Sequence, residues 1–132
     1  MHFLLDTNII IYYFNGLTDD QQVDELLVNS FNISIISKIE FLGWNGFLTD
    51  QLLYQRAQSF ITHAKVFNLD AQIANKTIEL RQQYKIKTPD AIIAATALIH
   101  RLGVATNNID DFKRLGVETL SIDVKTNEAR QF

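Results

Sequence analysis

Apolar and polar positions change period several times along this chain. Short apolar runs, the mark of buried strands, alternate with stretches in which apolar residues recur every three to four positions. Residues 2–5 and 32–36 read as strands, 65–69 as a weaker one, and 104–106 and 118–122 as the last two. Between them the spacing predicts helices over 7–14, 18–30, 37–45, 49–63, 70–84 and 90–102, with a short helical turn at 110–115. Thr18-Asp19-Asp20-Gln21 and Ser37-Lys38-Ile39-Glu40 have the form of capping boxes, and Asp70 is placed to cap the helix that follows it. Pro89 after Thr88 is a helix start, while Gly16 and Gly103 punctuate helix ends. The helix from Asp90 is apolar almost all round and small in its middle, so it should lie buried against a sheet. The polar stretch 123–132 has no clear periodicity and reads as a tail. Strands separated by helices imply an α/β fold with a mostly parallel central sheet flanked by helices on both faces.

Composition narrows this picture. At 132 residues with 47% hydrophobic content and one proline, residues 1–132 are expected to form a single packed domain. The absence of cysteine excludes a disulfide framework and a thiolate metal site. The first apolar run meets Asp6 and has no basic leader, and the apolar stretch 91–99 falls short of the ~20 residues needed to cross a bilayer. A cytoplasmic protein with no membrane partner is the expectation. The net charge of −3 argues against a nucleic-acid partner, but its distribution weakens that objection. Residues 1–60 carry seven acids and two bases, Lys38 and Arg56; residues 61–132 carry ten bases and eight acids. Lys76, Arg81, Lys85, Lys87, Arg101, Lys113 and Arg114 are among those bases and leave room for a phosphate-binding rim. His2, His63 and His100 share no short metal spacing and read as structural or surface residues, and Tyr12, Tyr13 and Phe14 read as core.

Three acids carry the candidate chemistry: Asp6, Glu40 and Asp90. Each lies beside or inside an apolar stretch where a strand or loop hands over to a helix. In an open parallel sheet, sites form outside the carboxyl ends of the strands. Asp6 follows the first strand, Glu40 falls in the first helical turn after the second, and Thr106-Asn107-Asn108 follows the strand at 104–106. Asp90 joins them from the start of the buried helix. Taken singly, Asp6 fits an N-cap, Glu40 the far end of a capping box, and Asp90 the favourable end of a helix dipole. Taken together they need more, because two carboxylates 4 Å apart repel by roughly 4 kcal/mol at an effective dielectric of 20. A cation or shared protons would relieve that repulsion. Oxygen ligands alone suit Mg²⁺ or Mn²⁺ better than zinc. Thr7 and Asn8 are placed either to hydrogen-bond these carboxylates or to cap the first helix.

Leu4-Leu5-Asp6-Thr7-Asn8-Ile9-Ile10, Ser37-Lys38-Ile39-Glu40, Thr88-Pro89-Asp90-Ala91-Ile92-Ile93-Ala94-Ala95-Thr96-Ala97 and Ala105-Thr106-Asn107-Asn108-Ile109-Asp110-Asp111-Phe112 together resemble the PIN-domain family, and look most like its VapC-type toxins. The resemblance implies a PIN-like three-layer fold and metal-dependent endoribonuclease activity. It implies Asp6, Glu40 and Asp90 as metal-binding and catalytic acids, with Mg²⁺ or Mn²⁺ as cofactor. At the fourth position many members carry an acid two residues after the threonine; here Asn108 stands there, with Asp111 three residues on, and both are carried as catalytic candidates. Thr106 matches the residue that orients a carboxylate or water. The implied partners are an RNA substrate, a cognate antitoxin and a second copy of the chain. Phe41, Leu42, Trp44, Phe47 and Leu48 are many large apolar residues for one short helix and its exit, and read as an interface for such assembly. A PIN-like module that binds RNA or protein without cutting is the alternative, disfavoured because none of the three acids is lost. A phosphoryl receiver or haloacid-type phosphatase needs an acidic pair or Asp-x-Asp where Asp6-Thr7-Asn8 supplies one acid. No G-x-G-x-x-G follows the first strand, which excludes a dinucleotide enzyme.

Overall fold

The computed structural model describes residues 1–125. Five strands form one sheet: β1 (Phe3–Leu5), β2 (Asn32–Ser34), β3 (Lys65–Phe67), β4 (Gly103–Thr106) and β5 (Thr119–Ser121). Their order is β3-β2-β1-β4-β5 and every pairing is parallel. The helices among the described residues are α1 (Thr7–Phe14), α2 (Gln21–Asn29), α3 (Ile35–Leu42), α4 (Gln51–Thr62), α5 (Ala71–Gln83), α6 (Thr88–His100) and α7 (Ile109–Lys113). The α/β fold with its parallel sheet between helical layers is the one expected. None of these helices is long and apolar enough to cross a membrane.

Strand β1 lies in the middle, and the chain builds outward from it first through β2 and β3, then through β4 and β5. That reversal makes a crevice at the carboxyl ends of the strands beside β1. Side chains alternate across a strand, so Leu4 and Leu5 enter different cores. Leu5 packs with Ile9, Ile10, Ile33, Phe41 and Ala105 on one face, and Leu4 with Ile73, Ile93, Ala94 and Val104 on the other. The small side chains Ala94, Ala95 and Ala97 bring α6 close to the sheet, and α5 packs across its outer side. The all-round apolar character of α6 thus has the cause expected of it.

Several elements begin or end away from the expected positions. Strand β2 ends at Ser34, whose hydroxyl caps α3 by accepting the Ile36 N–H at 3.1 Å. Ser37 is therefore inside a helix and fully buried, not a cap. Asp20, not Thr18, caps α2 through the Gln22 N–H, while the Thr18 hydroxyl donates to the Asp123 carbonyl at 2.5 Å. Residues Asn45–Thr49 form a 3-10 turn and Asp50 caps α4. At the end of α6 the left-handed position is taken by Arg101 (φ 58°), not by a glycine. Gly103 belongs to β4, where an added Cβ would lie 2.5 Å from the Phe3 ring. The first residues of the expected tail are tied down: the Asp123 N–H donates to the Asp20 carboxylate at 3.0 Å and the Lys125 N–H to the Leu17 carbonyl at 2.8 Å. The rest of that tail, 126–132, lies outside the described residues.

The apolar set around α3 divides. Phe41 and Phe47 are core residues, Leu42 and Trp44 are half-buried, and Leu48 is 80% exposed. Phe41 packs edge-on against Phe14 (5.3 Å) and Phe60 (6.0 Å), and so fixes the helix that carries its neighbour Glu40. Phe41→Ala is expected to cost about 3–5 kcal/mol, the range for deleting a buried ring. Urea unfolding of the variant checks this; a midpoint barely shifted from wild type would return Phe41 to an exposed interface.

Candidate active site

Asp6 is the first residue past β1, and its backbone N–H still pairs with the Ala105 carbonyl of β4 at 3.0 Å. This extra rung fixes the residue against the sheet. Asp6 holds the N-cap position of α1, yet its side chain makes no capping bond. Its carboxylate turns instead to Thr106 at the end of β4, accepting the hydroxyl proton at 2.9 Å. Thr106 is fully buried and its oxygen also accepts the Asn108 N–H at 2.9 Å. A hydroxyl with one proton and two lone pairs satisfies both bonds at once. The capping explanation of Asp6 does not hold.

Glu40 comes from the neighbouring side of β1. Thr7 Oγ1 lies 2.8 Å from Glu40 Oε1 and 2.8 Å from Ser37 Oγ. Thr7 has one proton, and a carboxylate can only accept, so Thr7 donates to Glu40 and the Ser37 hydroxyl completes the chain. Residues three apart on a helix share a face, which puts Ser37 and Glu40 on the same side of α3. The Ser-x-x-Glu spacing fits this arrangement as well as it fits the expected capping box. Thr7 is thus a support for a carboxylate rather than a cap, and Ser37 is an added member of the site that its spacing alone does not reveal.

Asp90 stands in the first turn of α6, just after Pro89. It meets Asp6 and Glu40 in one open cleft of about 330 Å³, whose wall also carries Thr7, Asn8 and Lys87. Asn108 and Asp111 lie to one side: they share with Asp90 an adjoining cavity of about 630 Å³. Asn108 donates from its amide to the Asp111 carboxylate at 2.6 Å. The structure therefore brings the three acids to one cleft, with Thr7, Asn8 and Thr106 around them, and leaves Asn108 and Asp111 as a pair reached through Asp90.

The electrostatics are those of crowded negative charge. Asp6 is only 5% exposed, and burial pushes its pKa from 3.8 up to about 7. The hydrogen bond from Thr106 and the Thr7 N–H pull it down, while the charges of Asp90 and Glu40 push it up. Burial also raises Asp90, aided by Glu40 and Asp111 and opposed by Lys87. Among the described residues no three His, Cys, Asp or Glu side chains converge tightly enough to enclose an ion alone. The donor set nevertheless fits Mg²⁺ or Mn²⁺. It consists of hard oxygens, and Mg²⁺ keeps several of its waters and uses few carboxylates. Asp6, Glu40 and Asp90 would hold the ion, directly or through such waters.

A parallel α/β sheet with acids gathered at the carboxyl ends of its central strands, each in the motif quoted above, defines a class. The chain belongs to the PIN-domain family: the family model, described as PIN domain, matches residues 3–118. Among solved structures it is similar to a toxin–antitoxin complex from Klebsiella pneumoniae, with 35% identity over 83% of this chain and 89% of that one, at a TM-score of 0.69. It is also similar to VapBC2 from Rickettsia felis bound to a promoter DNA fragment, with 25% identity over 93% and 100% of the two chains and a TM-score of 0.79. DNA-bound VapBC from Salmonella typhimurium gives 25% identity over 92% and 98%, again at 0.79. No curated protein matches the chain.

The raised pKa of Asp6 has a signed consequence for the metal-free protein. Between about pH 4 and 7 the native state keeps a proton that the unfolded chain has shed, so stability falls as pH rises through that window and levels off above it. Asp90 acts in the same direction. Asp6→Asn removes the main contribution, which is worth a few kcal/mol at about 1.4 kcal/mol per pKa unit. In EDTA the variant is expected to melt above wild type at pH 8, with the difference vanishing near pH 4. A thermal melt series over pH checks this; equal melting temperatures at pH 8 would mean that the Asp6 charge is already neutralised within the protein.

Proposed function

We propose that the chain is a Mg²⁺- or Mn²⁺-dependent endoribonuclease, the toxin of a toxin–antitoxin pair, with residues 1–132 as one nuclease domain acting in the cytoplasm. The observation that carries this reading is the single cleft into which Asp6, Glu40 and Asp90 project from three different elements. A module that only binds RNA or protein would not need three carboxylates held in mutual repulsion. The cognate antitoxin is supported by the likeness to a chain solved as a toxin–antitoxin complex and to chains of VapBC.

When bound, the divalent cation supplies Lewis-acid chemistry, giving a water-derived nucleophile at neutral pH and neutralising charge on the phosphodiester. The protein's own part is positioning. Thr106 orients Asp6, and the Ser37–Thr7 pair orients Glu40, so both carboxylates meet their ligand without searching rotamers. Asp90 presents its carboxylate from the N-terminal end of α6. Lys87, on the same wall, attracts the RNA phosphate and offsets part of the negative charge. Asn108 and Asp111, on the far side of Asp90, would support a second ion or orient an incoming water.

Asp6→Asn, Glu40→Gln and Asp90→Asn are each expected to reduce RNA cleavage in Mg²⁺ to background while circular dichroism stays native. Asn108→Ala and Asp111→Ala should retain cleavage but raise the Mg²⁺ needed by roughly tenfold, since an amide or outer carboxylate contributes less to binding. Wild-type cleavage by Asp90→Asn would move the active site elsewhere.

The chain is also proposed to work as a homodimer. The support is now narrower than the whole α3 set: half-buried Leu42 and Trp44 border a cavity of about 380 Å³ with exposed Leu48, and Ile39 beside Glu40 is 59% exposed. Each large apolar side chain removed from water is worth about 1.5–3 kcal/mol, and twofold dimers are the commonest use of such a surface. Sedimentation at micromolar concentration should give twice the chain mass for wild type and the monomer mass for Leu48→Asp. A wild-type monomer contradicts the dimer.

A further inference from the structure

The cavity that adjoins the acidic cleft differs from it in charge. Its wall carries four bases, Arg81, Lys85, Lys87 and Arg114, against two acids, Asp90 and Asp111, and it shares Asp90 and Lys87 with the cleft. Both guanidinium groups are held in place. Arg114 Nη2 donates to the Lys85 carbonyl at 2.9 Å, and the guanidinium lies 5.9 Å from the centre of the Tyr84 ring. Arg81 Nε donates to the Ile86 carbonyl at 3.4 Å. A guanidinium has five N–H donors, so one such bond leaves the others for a ligand. None of the four bases takes part in the ion pairs of Lys76 with Glu79 and Lys125 with Asp19. On the other side of the cleft, α3 and α4 carry one base each, Lys38 and Arg56, and Arg56 lines a separate cavity with Tyr13, Phe14 and Phe60.

From this asymmetry we propose that the cavity formed by Arg81, Lys85, Lys87 and Arg114 binds backbone phosphates of the RNA on one flank of the cleaved linkage only, leading the strand past Asp90 into the acidic cleft. Four cations spread over one wall match a backbone with regularly repeated charge better than a lone carboxylate. The planar fork of donors that Arg114 keeps beyond its bond to the Lys85 carbonyl suits the oxygens of a phosphate. The contacts that hold Arg81 and Arg114 also fix the segment leading to Pro89 and Asp90, so the bound strand and the acid are kept in register. The assignment of the anion as RNA rests on the nuclease reading; the binding itself does not require cleavage.

The test is binding of a fluorescein-labelled single-stranded oligoribonucleotide to the full chain in EDTA, followed by anisotropy over a range of KCl. For single strands each phosphate contact contributes about 0.7 to the slope of log affinity against log salt. Lys85→Gln and Arg114→Gln should each lower the slope by about that amount and weaken binding several-fold, while Arg56→Gln leaves both unchanged. Lys85 is the cleaner variant, because Arg114 also holds a carbonyl. Neutral methylphosphonates on one flank of the cleavage position should weaken binding, and on the other flank should not. Unchanged slopes in both variants, or equal losses on the two flanks, overturn the proposal. So does tighter binding of a poly-glutamate peptide of equal charge, which would assign the cavity to a protein partner. Cleavage in Mg²⁺ with unaltered slopes rejects this cavity and keeps the nuclease; slopes that respond as expected without any cleavage reject the nuclease and keep the cavity.

Discussion

At the end of the central strand the Asp6 carboxylate sits almost out of reach of water, with Asp90 and Glu40 adding negative potential and Thr106 supplying one compensating hydrogen bond. Burial of a charge is unfavourable unless a partner or a proton neutralises it. The sheet leaves Asp6 no escape, because its N–H is locked to Ala105 and its carbonyl accepts from the first turn of α1. The residue therefore either holds a proton near neutral pH or waits for a cation. Asp90, from the first turn of α6, and Glu40, from the helix that follows β2, come to the same cleft.

Two hydroxyl groups turn this crowding into geometry. Thr106 directs its proton to Asp6 while receiving the Asn108 N–H, and Thr7 directs its proton to Glu40 while Ser37 completes the chain from a fully buried position. Hydrogen bonds to charged groups contribute about 1.5–3 kcal/mol each. That is enough to fix a rotamer and too little to abolish the repulsion between the acids. The acids stay oriented while Asp6 and Asp90 keep the raised pKa of buried, like-charged neighbours. The fixed arginines beside Asp90 extend the same edge into a surface of opposite sign.

Much of this was legible in the sequence because it depends on local signals. The alternation of strand and helix periods, Pro89 after Thr88, and the uniformly apolar run after Asp90 each have one ready structural meaning, and all appear in the fold. The three acids were legible as a group because each follows a strand end or opens a helix. What was not legible depends on ambiguity of spacing or on contacts distant in sequence. Ser37 and Glu40 stand three apart, which serves a capping box and a shared helix face equally, and β2 ending at Ser34 decides between them. The glycine at 103 marks a close approach by Phe3, 100 residues away, rather than a helix end. Phe41 and Phe47 read as part of an interface set in a short segment, because the aromatic cluster that buries them, including Phe14 and Tyr54, comes from α1 and α4.

Asp6, Glu40 and Asp90 are proposed to hold one hard divalent cation between them. Calorimetric titration of the metal-stripped protein with Mn²⁺ at pH 8 addresses it without any substrate. The account predicts saturable binding that raises the melting temperature of wild type and is lost in Asp6→Asn and in Glu40→Gln. Undiminished binding in both variants, or no heat and no shift in melting temperature at millimolar Mn²⁺, would contradict it.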